Sequence, residues 1–190
     1  MLAAPAEARP VDRWNAEIGE AARRFGVPED WIRQVMQAES GGETMLNGKP
    51  ITSRAGAMGL MQLMPATWRE MRALLGSGAN PHDPRDNILA GTFYLRLMYD
   101  RFGYPGLFAA YNAGPSRYAA FLSGARALPA ETRSYVAAIA PVTRQRPIVG
   151  RRSPPGIFAL AAGVQPASRA RSHGPAADGL FVRLSSPARP

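Results

Sequence analysis

With 190 residues, 46% of them hydrophobic, the chain can bury one core of ordinary size and still carry a tail. The absence of cysteine excludes disulfides, thiolate metal sites and a cysteine nucleophile, and His82 and His173 stand too far apart for a zinc pair of helical spacing. The formal charge of +9 is concentrated at one end: from Arg144 onward eight arginines face Asp178 alone, so residues 1–143 are nearly neutral.

Residues 1–10 are rich in small side chains but lack a basic start and a 7–15-residue apolar run. They are expected to be the remnant of a secretion signal whose start lies upstream, or a flexible N-terminus. From there Val11, Trp14, Ile18, Ala21 and Phe25 recur at three- and four-residue intervals, which predicts one amphipathic helix ending at Gly26. Pro28 suits the first turn of a second helix, which carries Trp31, Ile32, Val35 and Met36 and stops at Gly41-Gly42. Residues 41–58 predict an irregular loop. Pro65 opens a third helix that ends near Gly76. Asp83-Pro84 caps a long fourth helix reaching about Phe102. Shorter helices are predicted at about 106–112, 115–122 and 131–140. No run of alternating β-branched residues stands out, so the fold class is all-α, with one domain over residues 11–142.

Residues 143–190 are rich in Pro, Arg, Ser and Ala and are expected to be mostly disordered, with Phe158–Val164 and Leu180–Leu184 as short docking segments. The longest apolar stretch, Ile157–Val164, is far below the ~20 residues of a membrane span. A basic tail attracts nucleic acid, anionic lipid or acidic wall polymers. Lys49 is the only lysine, so the arginine bias fits genome composition as well as selection for binding, and nucleic acid is not the expected partner.

Three segments carry chemistry. Glu39 sits in the last turn of an apolar helix, where the helix dipole and apolar neighbours both disfavour a carboxylate charge. A glutamate so placed keeps its proton near neutrality, as a general acid toward a glycosidic oxygen must. Gly56-Ala57-Met58-Gly59-Leu60-Met61-Gln62-Leu63-Met64-Pro65 brings Gln62, a donor and an acceptor, among apolar residues. Ala110-Tyr111-Asn112-Ala113-Gly114 offers two more hydrogen-bonding side chains beside small ones. Ordinary glycosidases need two carboxylates, and the nearest other acid in sequence is Glu43, beyond the double glycine. Asp83 and Asp86 read as helix N-terminal residues, and Asp100 as an exposed partner for arginine. A one-carboxylate mechanism fits this shortage, while Glu43 folding back toward Glu39 would support a water-using one.

Glu39-Ser40, then Gly59-Leu60-Met61-Gln62-Leu63-Met64-Pro65, then Asp83-Pro84-Arg85-Asp86-Asn87, then Ala110-Tyr111-Asn112-Ala113-Gly114, then Glu131-Thr132-Arg133-Ser134-Tyr135-Val136 follow in order. In this series residues 15–141 resemble the soluble lytic transglycosylase family, whose catalytic domain is similar to goose-type lysozyme. The resemblance implies a lysozyme-like fold and cleavage of the peptidoglycan bond between N-acetylmuramic acid and N-acetylglucosamine, leaving a 1,6-anhydro end. It gives Glu39 the catalytic role and makes Ser40, Ser53, Gln62, Met64, Tyr111, Asn112 and Tyr135 substrate-binding, with Tyr135 reaching toward Glu39. It implies no cofactor and no metal, and a place in the periplasm or at the wall. The small domain and basic tail are similar to one-domain enzymes that accompany type IV secretion and conjugation machines, and phage or other wall-remodelling roles are equally shaped. One departure is the loop between Ser40 and Ser53, longer than the family's and opened by Gly41-Gly42. A non-catalytic glycan-binding module on the same fold is the reading from another class; it predicts that Glu39→Gln leaves function intact.

Overall fold

The structure is a computed structural model that describes residues 9–143. The expectations for residues 1–8 and for the tail from 144 onward lie outside the described residues. A 3-10 turn, Pro10–Trp14, opens the domain, followed by α1 (Asn15–Phe25) and α2 (Glu29–Ser40). The two-residue strands β1 (Met45–Leu46) and β2 (Lys49–Pro50) come next, then α3 (Pro65–Leu75), α4 (Pro84–Phe102), α5 (Gly106–Ala113), α6 (Pro115–Leu122) and α7 (Ala130–Ile139).

Helix α4 is the axis. Ile88, Leu89, Ala90, Gly91 and Thr92 are buried in succession, so α4 has no solvent face over this stretch and is packed from several sides. On one side lies α1, where the Phe25 and Phe93 rings stack at 5.2 Å. On another lies α5, buried from Gly106 to Asn112, with Tyr111 and Tyr94 rings at 5.2 Å. Trp31 of α2 is fully buried among Tyr99, Tyr104 and Phe108, with ring centroids 5.4–5.7 Å away. Deleting such a ring costs about 3–5 kcal/mol. Helix α6 has no buried residue and covers the outside.

Two stretches differ from the sequence expectation. The first helix is broken in two: Pro10 fixes the first turn, and the Arg9 backbone N–H donates to Asp12 Oδ2 at 3.0 Å, holding a 3-10 turn before the α-helix starts at Asn15. Residues 41–58 are not wholly irregular. Met45 pairs with Pro50 and Leu46 with Lys49 around Asn47-Gly48, whose φ values of 51° and 75° are those of a two-residue hairpin turn. Strands this short show no alternation, but Asn-Gly is itself a hairpin signal.

Candidate functional site

The buried face of α2 continues past its apolar residues. Trp31, Ile32, Val35, Met36, Glu39 and Ser40 are all buried, and Glu39 falls four residues after Val35 and three after Met36. Its carboxyl is therefore carried inward by the stripe that anchors the helix, to 4% exposure. It makes no ion pair among the described residues. Burial pushes its pKa up to about 8; the Tyr135 hydrogen bond opposes this, and the charge of Glu131 adds to it. Tyr135, on α7, donates from Oη to Glu39 Oε1 at 2.9 Å. Glu39 is thus a neutral acid at pH 7 with one hydroxyl fixing its orientation.

The end of α2 is clamped from outside. The Gly42 carbonyl accepts from Arg13 Nη2 at 2.7 Å and from Trp14 Nε1 at 2.9 Å. Gly42 has φ 82°, and a Cβ there would stand 2.6 Å from the Val11 backbone nitrogen, so only glycine fits. This accounts for the Gly41-Gly42 departure: Gly41 caps α2 and Gly42 lies against the N-terminal turn. Glu43 pairs with Arg13 at 2.6 Å and does not line the groove around Glu39, so it does not fold back as the second carboxylate.

A loop over residues 53–64 forms the facing wall. Asn87, fully buried on α4, accepts from the Met61 N–H at 2.7 Å and donates to the Met58 and Pro81 carbonyls. Gly91, one turn on, lets the loop approach so closely that a Cβ would lie 2.4 Å from Met61 Cβ. Held this way, Gln62 adopts a left-handed φ of 46°, a strained conformation worth about 1–3 kcal/mol. Its Nε2 donates to the Gly59 carbonyl, which leaves Oε1 buried with no hydrogen-bond partner among the described residues. Asn112 Nδ2, on α5, is likewise buried without a partner, and Tyr111 Oη donates to the Met61 carbonyl at 2.7 Å.

Glu39, Gln62, Met64, Tyr111 and Asn112 line one groove of about 580 Å³. An unpaired acceptor and an unpaired donor beside a neutral acid form a site prepared for a polar, uncharged ligand, since buried polar groups are otherwise satisfied. Three of the sequence-predicted binding residues do not line this groove. Ser40 is 1% exposed and its hydroxyl donates to the Leu60 carbonyl at 2.8 Å; Ser53 Oγ accepts from the Ala57 N–H at 3.0 Å. The Ser40 hydroxyl donates to the loop backbone, and the Ser53 oxygen accepts from it. Tyr135 is buried and meets Glu39 through its hydroxyl. Conversely, Glu131 and Arg117 line the groove without having been singled out individually. Glu131 sits four residues before Tyr135 on α7, on the same face, which is the signal that could have found it.

Residues 16–133 match the family described as Transglycosylase SLT domain. The chain belongs to that family. It is 37% identical over 91 residues to the transglycosylase of Enterobacteria phage PRD1, covering 48% of this chain and 31% of that protein. It is 33% identical over 168 residues to the membrane-bound lytic murein transglycosylase C of Mannheimia succiniciproducens, covering 82% of this chain and 42% of the relative. Among solved structures it is similar to the 70 kDa soluble lytic transglycosylase of Escherichia coli, with a TM-score of 0.58 and 28% identity, over 66% of this chain and 22% of that one. The SLT chain therefore spans less than half the length of these relatives, and its helical fold is the lysozyme-like one of the E. coli structure.

Proposed function

We propose that this chain is a lytic transglycosylase that cleaves the β-1,4 bond between N-acetylmuramic acid and N-acetylglucosamine in peptidoglycan. The observation that carries the proposal is the state of Glu39: a carboxyl kept neutral at pH 7 in a groove it shares with Gln62 and Asn112. Membership of the SLT family and the names of its relatives support the same chemistry.

The steps follow from the side chains. Glu39 donates its proton to the glycosidic oxygen, the C1–O bond breaks, and the N-acetylglucosamine side leaves with a free 4-hydroxyl. The ionised Glu39, steadied by the Tyr135 hydroxyl, then takes the proton of the muramic C6 hydroxyl while that oxygen bonds to C1. The product is a 1,6-anhydro end, no water is consumed, and Glu39 is protonated again. An internal nucleophile needs no second carboxylate to activate it. Gln62 Oε1 accepts from a sugar amide or hydroxyl, Asn112 Nδ2 donates to a sugar carbonyl, and Tyr111 and Met64 pack against the ring faces. Ser40 and Ser53 serve by shaping the loop. No metal or cofactor enters these steps.

Glu131 favours one other reading, because a second carboxylate in the groove could activate water and make the enzyme a hydrolase. Digestion of purified wall followed by mass analysis of the fragments separates them. Anhydro ends, lost with Glu39→Gln, support the transglycosylase; reducing ends throughout would make it a lysozyme. Full activity of Glu39→Gln would remove Glu39 from the chemistry altogether. Such an enzyme acts in the periplasm or at the wall, and no described helix is long and apolar enough to cross a membrane. A role in opening the wall for a secretion or conjugation machine, with the basic tail as the contact, is supported by the tail's charge.

A further inference from the structure

Glu39 stands in the last turn of α2, and the residues that follow Ser40 are two glycines, the least restrained pair a helix end can have. Such an end frays, and fraying would open the buried carboxyl to water. The turn is instead fixed from two sides. On the inner side the Ser40 hydroxyl donates to the Leu60 carbonyl. On the outer side the Gly42 carbonyl accepts twice, from Arg13 Nη2 at 2.7 Å and from Trp14 Nε1 at 2.9 Å. The two fixings meet, because the Gly42 N–H donates to Ser40 Oγ at 3.2 Å.

The outer donors belong to the 3-10 turn Pro10–Trp14, which is itself held down. Val11 is buried in the core, and Asp12 pairs with Arg33 of α2 at 3.7 Å. The Arg13 guanidinium lies over the Trp14 ring, 5.4 Å from its centroid, so the two donors converge on one carbonyl. This turn precedes residue 16, where the match to the SLT family begins. We infer that Arg13 and Trp14 are positioning residues for Glu39: through the Gly42 carbonyl they hold the turn of α2 that keeps this carboxyl against Tyr135 and away from water. Neither lines the groove, so neither meets the sugar. The inference rests on the reading of Glu39 as the proton donor. A loosened turn hydrates the carboxyl, which then titrates nearer its ordinary range, and misplaces it relative to the glycosidic oxygen. The ionisable groups coupled to Glu39 are Tyr135 and Glu131 of α7 and Tyr111 of α5, and none belongs to the outer turn.

The test follows cleavage of soluble glycan strands by the full chain over about pH 5 to 10, beside Trp14→Phe and the double variant Arg13→Met/Trp14→Phe. Phenylalanine keeps a ring and methionine a stem, so packing stays while the donors go. The double variant is expected to lower kcat about tenfold at unchanged KM, with the alkaline limb about one pH unit lower. Trp14→Phe alone is expected to show part of both changes, and it decides the matter if the double variant does not fold. Glu43→Gln removes the ion pair of Arg13 but keeps both bonds to Gly42, and is expected to match the wild type. Unchanged kcat and limb in the folded variants, or a lower kcat at an unmoved limb, would reduce the turn to a support of the fold and overturn the inference. The same shift in Glu43→Gln would assign the effect to the ion pair and overturn it as well. All of these outcomes leave the glycan reading standing; that reading falls separately, if Glu39→Gln keeps full activity.

Discussion

Two buried carboxyls, one at the end of α2 and one on α4, show how the same burial yields opposite chemistry. Asp100 is paired with Arg96 one turn away at 2.9 Å, both side chains less than 10% exposed, and the guanidinium also donates to the Phe25 carbonyl. That carboxylate was buried together with a cation. Glu39 was buried without a cation and kept its proton instead. The first arrangement ties α4 to α1; the second leaves an acid with something to give away. Burial alone therefore does not mark a catalytic group, whereas burial without compensation, in a groove, does.

The contrast can be broken from either side. The largest effect is expected at the acid: Glu39→Gln should lower turnover of peptidoglycan by about 10³-fold, with the fold retained by circular dichroism, because the amide is nearly isosteric but has no proton to donate. The same carboxyl governs stability. Its folded pKa of about 8 lies above the ordinary 4.5, so the native state holds a proton that the unfolded chain has lost. Stability from this group is complete below about pH 4.5 and is lost as pH rises toward 8, on the order of 3–5 kcal/mol in all. Urea melts of wild type and Glu39→Gln across that range should show the slope in the first and a flatter line in the second. At the compensated site, Arg96→Ala should cost about 3 kcal/mol by leaving Asp100 buried without that guanidinium. It should not move the pH at which activity falls.

The sequence made the acid visible and left its counterpart obscure. Glu39 was legible because a carboxylate at the end of an apolar stripe is locally anomalous, and glycines and prolines marked most helix ends. Asp100 read as an exposed partner of arginine, since an Arg–Asp pair four residues apart is ordinary on a helix surface. Only the packing of α1 against α4 buries it. The same limit hid the rest of the site. Asn87 lay within a helix-start motif, and nothing local tells that its amide reaches three backbone groups between residues 58 and 81. Ser40 and Ser53 looked free to meet sugar because their backbone partners come from the loop's three-dimensional path. The left-handed turn at Gln62 is likewise imposed by the loop being pinned at both ends.

Smaller substitutions sharpen the comparison by tuning the acid without removing it. Tyr135→Phe deletes a bond that favours the ionised carboxyl, so the pH above which activity declines should rise, with turnover down about tenfold from lost orientation. Glu131→Gln deletes a nearby charge that favours the neutral form, so the same limb should move slightly down. Opposite shifts from two side chains on α7 would be difficult to reach by any global change in structure.

The most direct measurement is the titration of the Glu39 side-chain carboxyl itself, followed by carbon NMR in protein labelled at glutamate and assigned against Glu39→Gln. A midpoint near 8 is the expected result. A midpoint near the ordinary 4.5 would mean that the carboxyl is ionised at pH 7, and the proton on which the cleavage depends would not be there.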